Sequence, residues 1–204
     1  QVFPDRFRRS GLAEAQQGLS LQPWGTDPAD QGFQGGDLYG VIDALDHIQS
    51  LGVTCLYLTP IFRSAVNHRY HAYNYFEVDP LLGGNEALDA LIAALHQRGM
   101  RLILDGVFNH CGRGFWAFHH LLENGDRSPY RDWFHVHQWP LRPYPRKGQN
   151  CGYSCWWNDP ALPKFNHAHA LVKEHLLAVG KYWLERGIDG WRLDVPDEVP
   201  ADFW

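Results

Sequence analysis

Arg192 and Asp194 stand two residues apart in Gly190-Trp191-Arg192-Leu193-Asp194-Val195, an apolar-rich run that predicts the end of a strand. Side chains alternate faces along a strand, so Arg192 and Asp194 share one face while Trp191, Leu193 and Val195 share the other. A permanently charged guanidinium beside a carboxylate favours the ionised form. It is therefore expected to lower the pKa of Asp194 and prepare it as a nucleophile. The same two residues could instead form a structural ion pair, and the surrounding elements must decide between these readings.

Three helix-to-strand units can be read around the pair. Leu38, Ile42, Leu45, Ile48 and Leu51 keep helical spacing, Gly52 ends the helix, and a strand over 53–58 follows. Leu88, Leu91, Ile92 and Leu95 repeat the pattern behind an expected Asn85 cap, with Gly99 before a strand over 101–105. Val172, Leu176, Val179 and Trp183 form the third helix, and Gly187 precedes a strand over 189–195. Residues 1–4 read as the middle of a further strand. Strands alternating with helices imply a parallel sheet. The interval from Gly99 to Gly187 is nearly twice that from Gly52 to Gly99. The excess falls in 111–166, rich in Pro, Trp, His and Gly, which predicts a small, ordered, loop-rich subdomain inserted after the strand ending at Asp105. Thr59, the run from Asp105 to His110 and the run from Asp194 to Glu198 all fall at the carboxyl ends of strands, where parallel sheets gather functional groups. Acids pointing inward there without partners would lose hydration, which favours a site over a core.

The chain has 204 residues and 45% hydrophobic content, enough for a substantial core. A formal net charge of -5 argues against a nucleic-acid partner, and the apolar runs are too short to span a membrane. Nine Trp and nine Tyr suit the flat apolar faces of sugars. Cys55 falls inside an expected buried strand, so the four cysteines read as incidental thiols rather than a disulfide framework. Cys111, Cys151 and Cys155, with His119, His120, His135 and His137, match no paired-ligand zinc spacing. Free thiols fit a reducing interior, so the expected location is cytoplasmic. Gln1 is not an initiator residue and 201–204 stops where a helix would begin, which predicts a piece of a longer chain.

Three separated motifs, in one order, carry a family resemblance. They are Asp105-Gly106-Val107-Phe108-Asn109-His110, Leu162-Pro163-Lys164-Phe165-Asn166 and Gly190-Trp191-Arg192-Leu193-Asp194. With the insertion between the first two, the chain resembles the alpha-amylase family of glycoside hydrolases. Within it the chain is similar to the neopullulanase, cyclomaltodextrinase and maltogenic amylase group, through segments such as Phe3-Pro4-Asp5-Arg6-Phe7 and Tyr130-Arg131-Asp132-Trp133-Phe134-His135. The resemblance implies an α/β fold, part of a TIM (β/α)8 barrel with a domain B inserted after strand three. Residues 1–110 would form the first part of the barrel, 111–166 domain B, and 167–204 the continuation through strand four.

The same resemblance implies site roles. Asp194 becomes the nucleophile and Arg192 its electrostatic partner. His68-Arg69-Tyr70 matches the segment whose tyrosine stacks under the sugar being cleaved, and Asp105 and His110 match residues around that sugar. Asn109 matches a loop-organising or calcium-associated position. Lys164, Asn166, Asp197 and Glu198 fall where the group varies its acceptor-side contacts, and for these four loop structure explains the residues equally well. The implied reaction is double displacement with retention, using two carboxylates about 5 Å apart. The family's acid, a glutamate ending strand five, and a further aspartate after strand seven would lie beyond Trp204, so residues 1–204 alone are expected to be inactive.

The implied substrates are maltooligosaccharides, cyclodextrins or related α-glucans, cut at α-1,4 and in some members α-1,6 bonds. Transfer, as in branching enzymes or glucanotransferases, is one alternative. A non-catalytic carbohydrate-binding or transporter-associated relative is another. No cofactor is required for the chemistry. Many members carry an Asn- and Asp-rich calcium loop after strand one, but here 8–13 reads Arg8-Arg9-Ser10-Gly11-Leu12-Ala13, leaving only Asp37 of the Gly-Gly-Asp element. Structural calcium is thus left open but without support from the loop. A homodimer would use regions outside this chain.

Overall fold

The computed structural model describes residues 1–27 and 31–204. Its strands are β1 (Cys55–Leu58), β2 (Phe62–Ser64), β3 (Ala72–Val78), β4 (Arg101–Gly106) and β5 (Gly190–Leu193). The helices are α1 (Leu38–Asp43), α2 (Leu45–Ser50), α3 (Gly84–Gln97), α4 (Trp116–Asn124) and α5 (Ala170–Glu185). A parallel sheet runs in the order β1, β4, β5, and Val2 bridges Leu58 in parallel on the outer edge of β1. The four positions therefore follow one another across the sheet in chain order.

Register fixes the two faces of this sheet. Tyr57 pairs with Ile103 and Ile103 with Gly190, while Asp105 pairs with Arg192. Alternation then puts Cys55, Tyr57, Ile103, Asp105 and Arg192 on one face, and Leu56, Leu58, Leu102 and Leu104 on the other. The four leucines are buried under the helices. Cys55 is exposed rather than buried, because it opens β1 on the face opposite the buried Leu56 and Leu58.

Helix burial follows the apolar spacing. Ala87, Leu88, Leu91, Ile92 and Leu95 form the inner face of α3, and Val172, Leu176, Val179 and Trp183 that of α5. Fully burying one such side chain contributes about 1.5–3 kcal/mol. Trp183 also donates Nε1–H to the Tyr75 carbonyl at 2.7 Å and stacks on Phe62, tying α5 to β2 and β3.

Four local expectations are corrected. The first helix is two, because Ala44, at φ -97° and ψ 0°, interrupts the ladder between α1 and α2, and Leu51 lies exposed beyond it. Asn85 does not cap α3: its Oδ1 accepts the Val78 N–H at 2.8 Å, finishing β3, while Gly83 occupies the cap at φ 98°. β5 stops at Leu193, and Val195 turns left-handed at φ 40°. The segment 111–166 holds a true helix, α4, with Ala117, Phe118 and Leu121 inward. Elsewhere it is held by isolated bridges such as Val136 to Tyr153, and by an aromatic cluster in which Phe115 and Phe165 pack against Tyr75 of β3. No helix among the described residues is long and apolar enough to cross a membrane.

Candidate active site

Asp105 stands one residue before the end of β4 with its side chain completely buried, and four hydrogen bonds converge on it. Arg192 Nη1 donates to Oδ1 at 3.0 Å and to Oδ2 at 3.2 Å. Tyr70 donates its hydroxyl to Oδ2 at 3.0 Å, and Tyr57 donates to the same oxygen. Burial and then the adjacent carboxylate push both phenols up, Tyr70 to about 12, so both act as neutral donors. Both oxygens of the buried Asp105 carboxyl thereby have hydrogen-bond donors.

The same Arg192 nitrogen donates to Asp194 Oδ1 at 2.7 Å. Asp194 follows β5 directly, and its backbone N–H extends the sheet by donating to the Gly106 carbonyl at 3.1 Å. One guanidinium nitrogen thus spans two carboxylates that come from neighbouring strands. The expected lowering of the Asp194 pKa is overturned. Burial raises it, Arg192 pulls it down, and the negative charges of Asp105 and Glu198 add to the rise, leaving it above the usual aspartate range. The sequence displays the favourable neighbour but not the burial or the second carboxylate.

His110, five residues after Asp105, is buried, with Nε2 lacking a hydrogen-bond partner among the described residues. Burial pushes its pKa down to about 3, so the ring is neutral. Its backbone carbonyl accepts the Tyr75 hydroxyl at 2.7 Å, and its ring stacks on Trp156 at 5.4 Å. His68, lowered to about 4 by burial, accepts the Tyr70 N–H on Nδ1 at 3.2 Å. Neutral imidazoles can donate hydrogen bonds to hydroxyl groups or accept them, and an ionisable carboxylate can serve as a nucleophile.

The family profile for the alpha-amylase catalytic domain matches residues 1–202. This chain belongs to the alpha-amylase family. A cyclomaltodextrinase of Geobacillus thermopakistaniensis is 47% identical over the whole chain, which covers 34% of that protein. An intracellular maltogenic amylase of Bacillus subtilis is 43% identical, with the same coverage of the two chains. The ligand-free cyclic alpha-maltosyl-(1-->6)-maltose hydrolase of Arthrobacter globiformis superposes with a TM-score of 0.93 at 44% identity, over all of this chain and 45% of that one. The chain thus spans about a third of the length of these curated relatives, and its sheet is part of the family's (β/α)8 barrel.

The remaining expected site residues separate into two groups. Lys164 and Glu198 form an ion pair at 2.8 Å, and Trp156 Nε1 donates to the other Glu198 oxygen at 3.1 Å, so the 111–166 segment is clamped to the turn after Asp194. Asp197 is exposed on that turn, and among the described residues it has no hydrogen bond or ion pair with the carboxylate network. Asn166 is turned into its own loop, donating to the Asp132 carbonyl and accepting from Ala168 N–H. Asn109 is buried beside His110, with Nδ2 at 3.3 Å from Nδ1 of that ring and Oδ1 without a partner among the described residues. Tyr57 and Trp156 were not expected at the site. Strand alternation could have found Tyr57, since it lies two residues before Thr59 on the same face as Asp105.

The segment standing where many family members carry a calcium loop is closed by other contacts. Asp37 caps α1 by accepting Gly40 N–H at 2.7 Å on Oδ1, while its Oδ2 accepts Ser10 N–H at 3.0 Å and Ser10 O–H at 2.9 Å. Nearby carbonyls are taken by guanidinium groups, Gln34 by Arg9 and Thr26 by Arg6. Gly40 is required there, because a Cβ would stand 2.1 Å from the Arg8 carbonyl oxygen.

Proposed function

We propose that the protein carrying this chain is a retaining glycosidase that cleaves α-1,4 glucosidic bonds in cyclodextrins or maltooligosaccharides, extending in some substrates to α-1,6 bonds. The observation that carries the reading is the shared Arg192 nitrogen, which hydrogen-bonds both Asp194 and Asp105 and so holds the two carboxylates in one network. In this reading Asp194 attacks the anomeric carbon and forms a covalent glycosyl ester. Water or another sugar then releases it with retention. Protonation of the leaving oxygen is assigned to a glutamate outside this chain. Tyr70 stacks under the reacting sugar, and the unpartnered Nε2 of neutral His110 bonds one of its hydroxyls. Lys164 and Glu198 line the acceptor side, held by Trp156.

Residues 111–166 act in this reading as domain B, inserted between β4 and β5 and forming one wall of the cleft. The calcium-like loop is read as metal-independent, because the Asp37 oxygens and the neighbouring carbonyls already accept hydrogen bonds from Ser10, Gly40, Arg6 and Arg9. The test is Asp194→Asn in the full-length protein, assayed on cyclodextrin and maltotriose. A loss of at least about 10³-fold in kcat, with binding retained, is expected of a nucleophile. Wild-type turnover by this variant overturns the assignment.

A further inference from the structure

Cys151 and Cys155 are four residues apart, a spacing that would hold their Cα atoms about 13 Å apart in an extended strand. Their sulfurs are instead 3.9 Å from each other. Gly152 makes the approach. Its φ is 90°, and a Cβ there would stand 2.4 Å from the Gln138 carbonyl oxygen, so the chain reverses where no other residue fits. The reversal is fixed on both sides, since Arg142 N–H donates to the Cys151 carbonyl at 2.8 Å and Cys155 bridges Pro163. Forming a disulfide of about 2.05 Å requires the sulfurs to close by roughly 1.9 Å, within the reach of side-chain rotation.

Both residues line the same cavity of about 610 Å³, together with His137, Ser154, Asn158 and Lys164, so the pair borders a space that a small solute can enter; Cys151 is buried and Cys155 only partly so. The third cysteine of the region, Cys111, is completely buried and donates to the Pro163 carbonyl at 3.9 Å. Among the described residues no group of three or more His, Cys, Asp or Glu could hold a metal, so the pair is not one edge of a metal cage.

We infer that Cys151 and Cys155 form a redox modification site, a dithiol that closes to an intramolecular disulfide in exchange with a low-molecular-weight disulfide such as oxidised glutathione. One thiolate attacks the small disulfide, breaks its S–S bond, forms a mixed disulfide and releases one thiolate. The second cysteine, as thiolate, attacks the protein sulfur of that mixed disulfide and expels the other small thiolate. Two protein thiols are oxidised, one small disulfide is reduced to two thiols, and the two protons pass to the leaving sulfurs. Burial and the neighbouring Cys151 sulfur push the Cys155 thiol up, so closure is slow near neutrality and quickens as pH rises. Cys155 precedes Trp156, the ring that stacks on His110 and binds Glu198, so the pair sits next to the clamp between the 111–166 segment and the carboxylate turn.

The experiment uses the folded full-length protein treated with oxidised glutathione, quenched in acid, alkylated and digested with trypsin. Cleavage after Lys147 and Lys164 releases one peptide, 148–164, containing both cysteines and no other. The expected result is a loss of two hydrogens from this peptide, reversed by a dithiol reductant. At least one of Cys151→Ser and Cys155→Ser should stop at the glutathione adduct, because its resolving thiol is gone. A wild-type peptide that stays reduced, one that stops at the adduct, or a pair of variants that both fail to react overturns the inference.

Discussion

Replacing Asp79 by Asn tests how firmly a buried charge pair holds Tyr70 in place. The Arg69 and Asp79 side chains are 1% and 4% exposed, and Arg69 Nε donates to Asp79 Oδ2 at 2.7 Å. Arg69 Nη1 donates to the Asn67 carbonyl at 2.6 Å, and the guanidinium lies 5.4 Å from the Phe33 ring centre. Its Nη2 has no hydrogen-bond partner among the described residues, so this cation is already one bond short. Removing one partner of a buried pair costs about 3–5 kcal/mol where the remaining charge is left uncompensated; the buried Asp5 carboxyl also attracts Arg69, so the expected loss lies at the lower end of that range. Asn can still accept the Leu81 N–H that Asp79 Oδ1 accepts at 2.9 Å, which isolates the charge from the cap. An Arg69→Met and Asp79→Asn double variant removes both charges and should recover most of the loss, giving a coupling of about 2 kcal/mol or more. Urea unfolding of the full-length protein, followed by fluorescence, measures each term. Because Arg69 stands between His68 and Tyr70, the single variant should also lower kcat at temperatures where the fold persists. A loss below about 1 kcal/mol, or a double variant no more stable than Asp79→Asn, refutes the reasoning.

Glu198→Gln removes a negative charge that raises the Asp194 pKa. In the proposed mechanism activity requires ionised Asp194, so the acid limb of the kcat/KM profile should move to lower pH, and an unmoved or upward-shifted limb counts against the assigned nucleophile. For the loop proposed to be metal-independent, calcium titrated into chelator-treated wild type and Asp37→Asn should give the same binding heat. Loss of a binding equivalent in the variant would mean that Asp37 holds the cation.

The parallel core was legible because α3 and α5 carry clean helical spacing and their strands carry short apolar runs, as with Leu102 and Leu104. The β2 and β3 pair was not. β2 is three residues long, its register slips on either side of Arg63, and β3 buries Ala72, Tyr75 and Val78, a three-residue period that hides a strand. α4 was missed because its narrow apolar face is set among His and Trp side chains. Arg192 and Asp194 could be paired from spacing alone. The opposing effect of Asp105 could not, since it reaches Asp194 through the fold.

Asp105 joins chain segments 48 residues away through Tyr57 and 87 residues away through Arg192. Loop-closure entropy grows only with the logarithm of length, so the longer closure costs only about 0.5 kcal/mol more than the shorter. The excursion between β4 and β5 therefore weighs little on assembly of the sheet. Its length and content can change between proteins with almost no penalty in chain entropy, while the two carboxylates it separates stay on one nitrogen.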